Sequence, residues 1–170
     1  MGNGILLCGL NGAGKSTIGR ALAQSLRYHF IDHEDLFFPD GVYAAPRSRE
    51  EACCLLMQRV AAHPNFVLAC VKGNFGDALL PQLRLAVLVE APRALRPQRV
   101  RQRSLDKFDD RMLPGGDLHA QETTFLQQVI ARPEDYVEAW ARTLPCPLLR
   151  VDGTRPVEET VARIEAQLHG

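Results

Sequence analysis

Gly9-Leu10-Asn11-Gly12-Ala13-Gly14-Lys15-Ser16 decides how this chain is read. The octet fits G-x-x-x-x-G-K-[ST], the phosphate-cradling P-loop. Its glycines let the backbone curl until successive N–H groups point inward at an anion. Lys15 brings a positive charge to the β- and γ-phosphates of a nucleotide. The Ser16 hydroxyl is a candidate Mg²⁺ ligand, with Thr17 beside it. The flanks agree: Gly4-Ile5-Leu6-Leu7-Cys8 is an apolar run of strand length, and Ile18, Leu22 and Leu26 recur at helical spacing. Strand, glycine loop and helix N-terminus, in that order, aim a helix dipole at a polyphosphate. Gly9, Asn11, Gly12, Ala13, Gly14, Lys15, Ser16 and Thr17 are therefore the candidate nucleotide-binding residues of this segment.

Strand and helix signals keep alternating downstream. Tyr28-His29-Phe30-Ile31 reads as a second strand ending at Asp32, and a loop with Pro39, Gly41 and Pro46 follows. Ser48-Arg49-Glu50-Glu51 forms a capping box, opening a helix with Ala52, Leu55, Leu56 and Val60 on one face. Phe66 to Val71 and Leu85 to Val89 are continuous apolar runs, the pattern of strands buried on both faces. Pro92 suits the first turn of a helix running to about Arg103. Gly115-Gly116 breaks the chain, and a helical stretch from Leu118 is interrupted at Pro133. Tyr136, Val137, Trp140 and Leu144 then share a helical face and are expected in the core. Leu148 to Val151 is the last strand. After the Asp152-Gly153 turn, Val157, Val161, Ile164 and Leu168 form the stripe of a final helix. Five buried runs separated by helices predict an α/β fold: a three-layer, doubly wound, five-stranded parallel sheet, in one domain spanning residues 1–170.

Composition narrows the function. At 170 residues with 46% hydrophobic side chains, the chain can bury a real core. The formal net charge is zero, so no global field favours nucleic acid or an anionic membrane. Positive charge is local, between Arg93 and Arg111. The five cysteines show no metal-ligand spacing. Cys8 and Cys70 fall inside strand-like runs and read as buried thiols, a usage that suits a reducing, cytoplasmic compartment. No basic segment precedes the first apolar run, which reads as a core strand rather than a signal peptide. No segment approaches the roughly 20 apolar residues that span a bilayer.

In a parallel sheet, ligands bind at the carboxyl ends of the strands, so the residues just after each strand carry the chemistry. Asp32-His33-Glu34-Asp35 follows the second strand. Asp32 can hold Mg²⁺ through water or accept a proton from a hydroxyl, and Glu34 can contact an acceptor. After the third strand come Lys72, Gly73 and Asn74, where glycine allows close approach and Lys72 offers a charge to an anionic group. No Walker B aspartate ends that strand; Cys70 and Val71 stand there. Arg99 and Arg103 lie one helical turn apart, and Arg111 follows in a charged segment broken by glycine. An arginine-bearing loop that closes over a polyphosphate excludes water and supplies positive charge to a transferring phosphoryl group. Arg99, Arg103 and Arg111 are the candidates. Asp152-Gly153-Thr154-Arg155-Pro156 follows the last strand, where a glycine turn lets backbone groups touch a flat base.

With these residues the chain resembles the P-loop kinases typified by adenylate kinase, shikimate kinase and gluconate kinase. The likeness runs nearly the whole length. It rests on the P-loop, the acidic cluster after the second strand, Glu90-Ala91-Pro92 followed by Arg99 and Arg103, and the segment from Asp152 to Pro156. The resemblance implies the strand order 2-3-1-4-5 and a lid at about residues 104–117. It also implies adenine beside Arg155 and Pro156, and an acceptor facing Asp32 to Asp35, Lys72 to Phe75 and the segment from about Pro39 to Arg59. The chain departs from each relative. Asp32-His33-Glu34 replaces an Asp-Ser-Asp-like pair of shikimate kinase, Lys72-Gly73-Asn74 replaces its triple glycine, and the arginine of the adenylate kinase segment is absent.

The expectation is an ATP- and Mg²⁺-dependent phosphotransferase acting on a small acceptor. Lys15, Asp32, Arg103 and Arg111 are its catalytic candidates, Ser16 and Asp32 its metal ligands, and Glu34, Lys72, Gly73 and Asn74 its acceptor contacts. A hydroxyl acceptor is favoured over a nucleoside monophosphate, because a hydroxyl needs a base and the strand end supplies carboxylates. The alternative is a regulatory ATPase or nucleotide switch. Neither nucleic acid nor membrane is expected as a partner, and the oligomeric state is open.

Overall fold

The computed structural model describes residues 2–39, 45–73 and 75–170. Gly41 and Asn74 lie outside them. Five strands form: β1 (Gly4–Cys8), β2 (His29–Asp32), β3 (Phe66–Cys70), β4 (Leu83–Glu90) and β5 (Leu148–Asp152). They build one parallel sheet in the order β2-β3-β1-β4-β5. Every residue of β1 and β3 is buried, which is why both read as unbroken apolar runs. β1 has a neighbour on each edge: Ile5 pairs with Val67 and Leu85, and Cys8 with Cys70 and Leu88.

Among the described residues seven α-helices accompany the strands: α1 (Lys15–Leu26), α2 (His33–Phe37), α3 (Arg49–Ala62), α4 (Leu95–Phe108), α5 (His119–Ala131), α6 (Glu138–Ala141) and α7 (Val157–His169). Alternation along the strands splits the core in two. Leu6, Ile31 and Leu68 pack with Leu56 and Val60 of α3. Ile5, Leu7, Val67 and Val87 pack with Ile18 and Leu22 of α1 and Val161 and Ile164 of α7. Helices therefore cover both faces, as a doubly wound sheet requires. The capping box of α3 is formed as read: the Ser48 hydroxyl accepts the Glu51 N–H, and the Glu51 carboxylate accepts the Ser48 N–H. Among the described residues no helix is long and apolar enough to cross a membrane.

Four local departures have physical reasons. The acidic stretch after β2 is helical, because the Asp32 carboxylate caps α2 by accepting the Glu34 N–H at 3.0 Å. α4 begins at Leu95 rather than at Pro92, leaving Pro97 in the first turn, where its missing N–H is tolerated. It also continues past Arg103 to Phe108, since no glycine or proline interrupts that stretch. The helix expected to carry Tyr136, Val137, Trp140 and Leu144 shrinks to the single turn of α6, confined between Pro133 and Pro145. Val137 is buried, Trp140 is half-buried, and Tyr136 is turned out at 39% exposure instead of joining the core.

The packing predicts a contrast that urea unfolding can measure. Ile164→Ala removes a fully buried side chain from the α1–α7 half of the core and is expected to cost about 2–5 kcal/mol. Leu113→Ala, at an exposed position, is expected to stay within about 0.5 kcal/mol. Equal losses would mean that the two-layer division of the core is misplaced.

Candidate active site

The P-loop joins the end of β1 to α1, at the centre of the sheet's carboxyl edge. Gly14 caps α1 with φ +105° and Gly12 sits at φ +83°, left-handed conformations that suit glycine. A Cβ on Gly12 would also lie 2.3 Å from the Arg96 carbonyl oxygen. Behind the loop, the Arg96 guanidinium is buried; it pairs with Glu134 and donates to the Ala91 carbonyl at 3.2 Å.

Lys15 Nζ donates to the Leu10 carbonyl at 3.1 Å. Burial pulls its ammonium pKa down to about 8, Arg103 pulls in the same direction, and Asp32 opposes both. Ser16 Oγ donates to Asp32 Oδ2 at 2.8 Å, tying the start of α1 to the end of β2. With Oδ1 accepting from the Glu34 backbone, both Asp32 oxygens are engaged. Burial pushes the Glu34 carboxyl pKa up, against the pull of Arg103, while Asp32 adds to the rise. Arg99 reaches across from α4: its Nη1 donates to the Gly12 and Ala13 carbonyls at 3.3 Å each, and its Nη2 to the Gly153 carbonyl at 3.1 Å. One guanidinium thus fixes the P-loop against the turn after β5.

Two cavities open beside the loop. One, of about 580 Å³, is lined by Gly14, Thr17, Arg99, Gly153 and Arg155 among others. The other, of about 840 Å³, is lined by Asn11, Lys72 and residues of α2 and α5. Gly12, Lys15, Ser16, Asp32, Glu34, Arg103 and Phe125 line both. The structure therefore gathers most of the residues singled out from the sequence around one junction. Ala13 is buried behind it, contributing a carbonyl to Arg99, and Gly9 packs against the Val89 carbonyl.

Three expected residues sit elsewhere. Arg111 lines neither cavity; its exposed guanidinium makes a bidentate pair with Asp117 at 2.9 and 2.8 Å. Pro156 caps α7 without lining the smaller cavity, whereas Arg155 does line it. Gly73 is covered by Trp140, whose ring would lie 2.2 Å from an added Cβ, so its glycine serves packing. Other residues escaped the sequence reading. Arg132 Nη1 donates to Asn11 Oδ1 at 2.5 Å, and its guanidinium lies 5.6 Å from the Tyr136 ring centroid. Lys72 Nζ lies 4.4 Å from the same centroid. Phe37, Phe38, Phe125 and Tyr136 all line the larger cavity. Their only sequence signal was proximity to the acidic cluster for the first two; the others stand in stretches governed by helical spacing and proline.

Sheet order, loop and paired cavities define the P-loop kinase fold. A shikimate kinase family model matches residues 11–39, the P-loop through the acidic cluster. Among solved structures, shikimate kinase from Bacteroides thetaiotaomicron superposes with a TM-score of 0.58 at 20% identity, over 98% of each chain. A gluconokinase from Sinorhizobium meliloti 1021 gives 0.55 at 19% identity, over 98% of this chain and 95% of that one. Shikimate kinase from Acinetobacter baumannii, in complex with shikimate, gives 0.58 at 18% identity, over 98% and 92%. YqaC, an uncharacterised protein of Bacillus subtilis, is 27% identical over 96% of both chains.

The lowered Lys15 pKa carries a linkage prediction. A bound polyphosphate favours the ammonium form, so the site takes up a proton on binding nucleotide above about pH 8. ATP affinity is expected to fall as pH rises through that value. Calorimetry in buffers of differing ionisation enthalpy should register the uptake, and Lys15→Met should abolish it. Buffer-independent heats for the unaltered protein would refute the assignment.

Proposed function

We propose that this protein is an ATP- and Mg²⁺-dependent phosphotransferase that moves the γ-phosphoryl group to a hydroxyl of a small acceptor. The observation that carries the reading is the sharing of Lys15, Asp32, Glu34 and Arg103 between two adjoining cavities. A transferase needs two substrates that meet at one reacting phosphorus, whereas hydrolysis needs only one bound substrate and water.

The cavity beside Arg99, Gly153 and Arg155 takes the nucleotide. P-loop N–H groups and Lys15 hold its phosphates, and the base rests on the turn after β5. Ser16 and Asp32 fit Mg²⁺: two hard oxygen donors 2.8 Å apart, for an ion that takes one or two protein ligands and completes its shell with water and phosphate. Among the described residues no group of three or more histidine, cysteine or acidic side chains competes as a metal cage. When bound, the ion neutralises charge on the β- and γ-oxygens.

The carboxylates divide the work. Asp32, with both oxygens committed, orients Ser16 and the metal. Glu34, with its raised pKa and its place at the junction, takes the proton from the acceptor hydroxyl. The hydroxyl oxygen then bonds to the γ-phosphorus, the bond to the β–γ bridging oxygen breaks, and its electron pair leaves with ADP. Arg103 supplies positive charge at that point. Residues 104–117 and the following α5 act as the lid, since α5 side chains wall the larger cavity. Arg111 joins when its exposed, solvent-screened pair with Asp117 opens. The buried thiols Cys8 and Cys70 suit a reducing compartment, which supports a cytoplasmic location.

ADP formation from Mg-ATP, across sugar acids, cyclitols, hydroxylated antibiotics and nucleoside monophosphates, tests the reading, with Lys15→Ala as the blank. Stimulation by a hydroxyl compound is expected. Slow hydrolysis indifferent to every acceptor would shift the assignment to a regulatory ATPase.

A second test separates the carboxylates. Glu34→Gln is expected to lower kcat about 10²–10⁴-fold with little change in ATP affinity. It should also flatten the loss of rate as pH falls through the raised Glu34 pKa. Asp32→Asn is expected to raise the Mg²⁺ requirement instead. A pH profile unchanged by Glu34→Gln would remove it as the base.

A further inference from the structure

The larger cavity is roomier and more aromatic than a sugar acid requires. Its volume of about 840 Å³ falls toward the upper end of the roughly 300–1,000 Å³ that holds drug-sized ligands. Phe37, Phe38, Phe125 and Tyr136 all line it, and none of the four is fully buried. Half-exposed rings around a cavity forgo burial and stacking that a flat ligand restores. The rings come from separate elements: the end of α2, the middle of α5 and the segment before α6.

Charge supplies the second half of the argument. Lys72 and Arg132 line this cavity and not the smaller one, and both heads lie against the Tyr136 ring, at 4.4 and 5.6 Å from its centroid. A cation resting on an aromatic face is held in place before any ligand arrives. The carboxylates Asp32 and Glu34 belong to the shared junction instead. The cavity thus offers rings, a cationic end and a base, in distinct places.

We propose that the acceptor is an anionic, hydroxyl-bearing molecule of nucleotide-like size with a flat aromatic ring, which stacks on Phe37, Phe38 and Phe125 while its anionic group meets Lys72 and Arg132. This rests on the phosphotransferase reading: the acceptor hydroxyl gives its proton to Glu34 and receives the γ-phosphoryl of ATP, with ADP leaving. The inference adds what surrounds that hydroxyl.

The test is calorimetry on the full chain saturated with Mg-ADP, so that the nucleotide cavity is filled. The probes are AMP, GMP, CMP and UMP, with adenosine as a neutral aromatic ring and shikimate and gluconate as acids without an aromatic ring. At least one monophosphate is expected to bind about tenfold more tightly than adenosine and both acids. Phe38→Leu should weaken it roughly three- to tenfold. Lys72→Met should weaken the monophosphate and leave adenosine unchanged. A non-aromatic acid binding as tightly as every monophosphate overturns the inference, as does monophosphate affinity indifferent to both substitutions. Phosphorus NMR of the product formed with Mg-ATP separates the two levels. A new phosphomonoester supports both, and a diphosphate product leaves the aromatic anion standing while removing the hydroxyl acceptor. Failure to bind Mg-ADP removes the kinase reading and the inference with it.

Discussion

Everything at the functional edge depends on β1 being buried on both faces and paired on both edges. A strand with β3 on one side and β4 on the other ends in the middle of the sheet, so the loop that follows it must sit between two halves of the molecule. The crevice outside the strand ends opens there, where connections leave in opposite directions. The larger cavity takes residues from the ends of β2 and β3, and the smaller takes Gly153 and Thr154 from the end of β5. Lys15 and Ser16 of the loop line both cavities. Topology, more than any single side chain, brings the two cavities together at the loop.

That position carries an electrostatic cost, which explains the hydrogen bonds around it. A buried ammonium at Lys15 is disfavoured in the absence of an anion, and its lowered pKa records the penalty. The Leu10 carbonyl offsets part of it. Arg99 satisfies three carbonyls that the curled loop and the β5 turn leave facing inward, so the loop's shape is held without consuming the N–H groups that a phosphate needs. The Ser16–Asp32 bond does the same for the hydroxyl: it keeps Ser16 aimed into the junction. The site is arranged as a positive cradle, with the carboxylates Asp32 and Glu34 at the junction of the two cavities.

Much of this was legible in the residues because it is written in local patterns. The P-loop octet needs its glycines for backbone conformation, the sheet strands need unbroken apolar runs, and Asp32 follows a strand end that any parallel sheet turns toward the ligand. Arg99 and Arg103 were legible as one helical face. Tyr136 was not: its spacing from Val137 and Trp140 matches a helix, but between Pro133 and Pro145 only Glu138–Ala141 is α-helical, and the ring lies before that turn, exposed. Phe125 and Arg132 were hidden for a related reason. They belong to α5 and its exit, whose pattern describes a helix packing on its neighbours and says nothing of a cavity shared with the P-loop, although Arg132 meets Asn11 from 121 positions away.

The legible and hidden parts correspond to different physical tasks. Holding a polyphosphate requires fixed backbone geometry, so few sequences serve and the motif stands out. Choosing an acceptor requires only that side chains of suitable shape and charge converge, and many elements can deliver them. In this chain the convergence involves the end of α2, the exit of β3, α5 and the segment before α6. Tyr136 joins two of these by sitting under both Lys72 and Arg132. Arg132 in turn grips Asn11, a residue of the loop itself. The wall of the larger cavity and the P-loop are thereby mechanically connected through one arginine. A ligand that draws Arg132 toward its own charge pulls on the loop that holds the phosphate. Under the proposed phosphotransferase reading, such a contact would tie acceptor binding to the geometry of the phosphoryl donor.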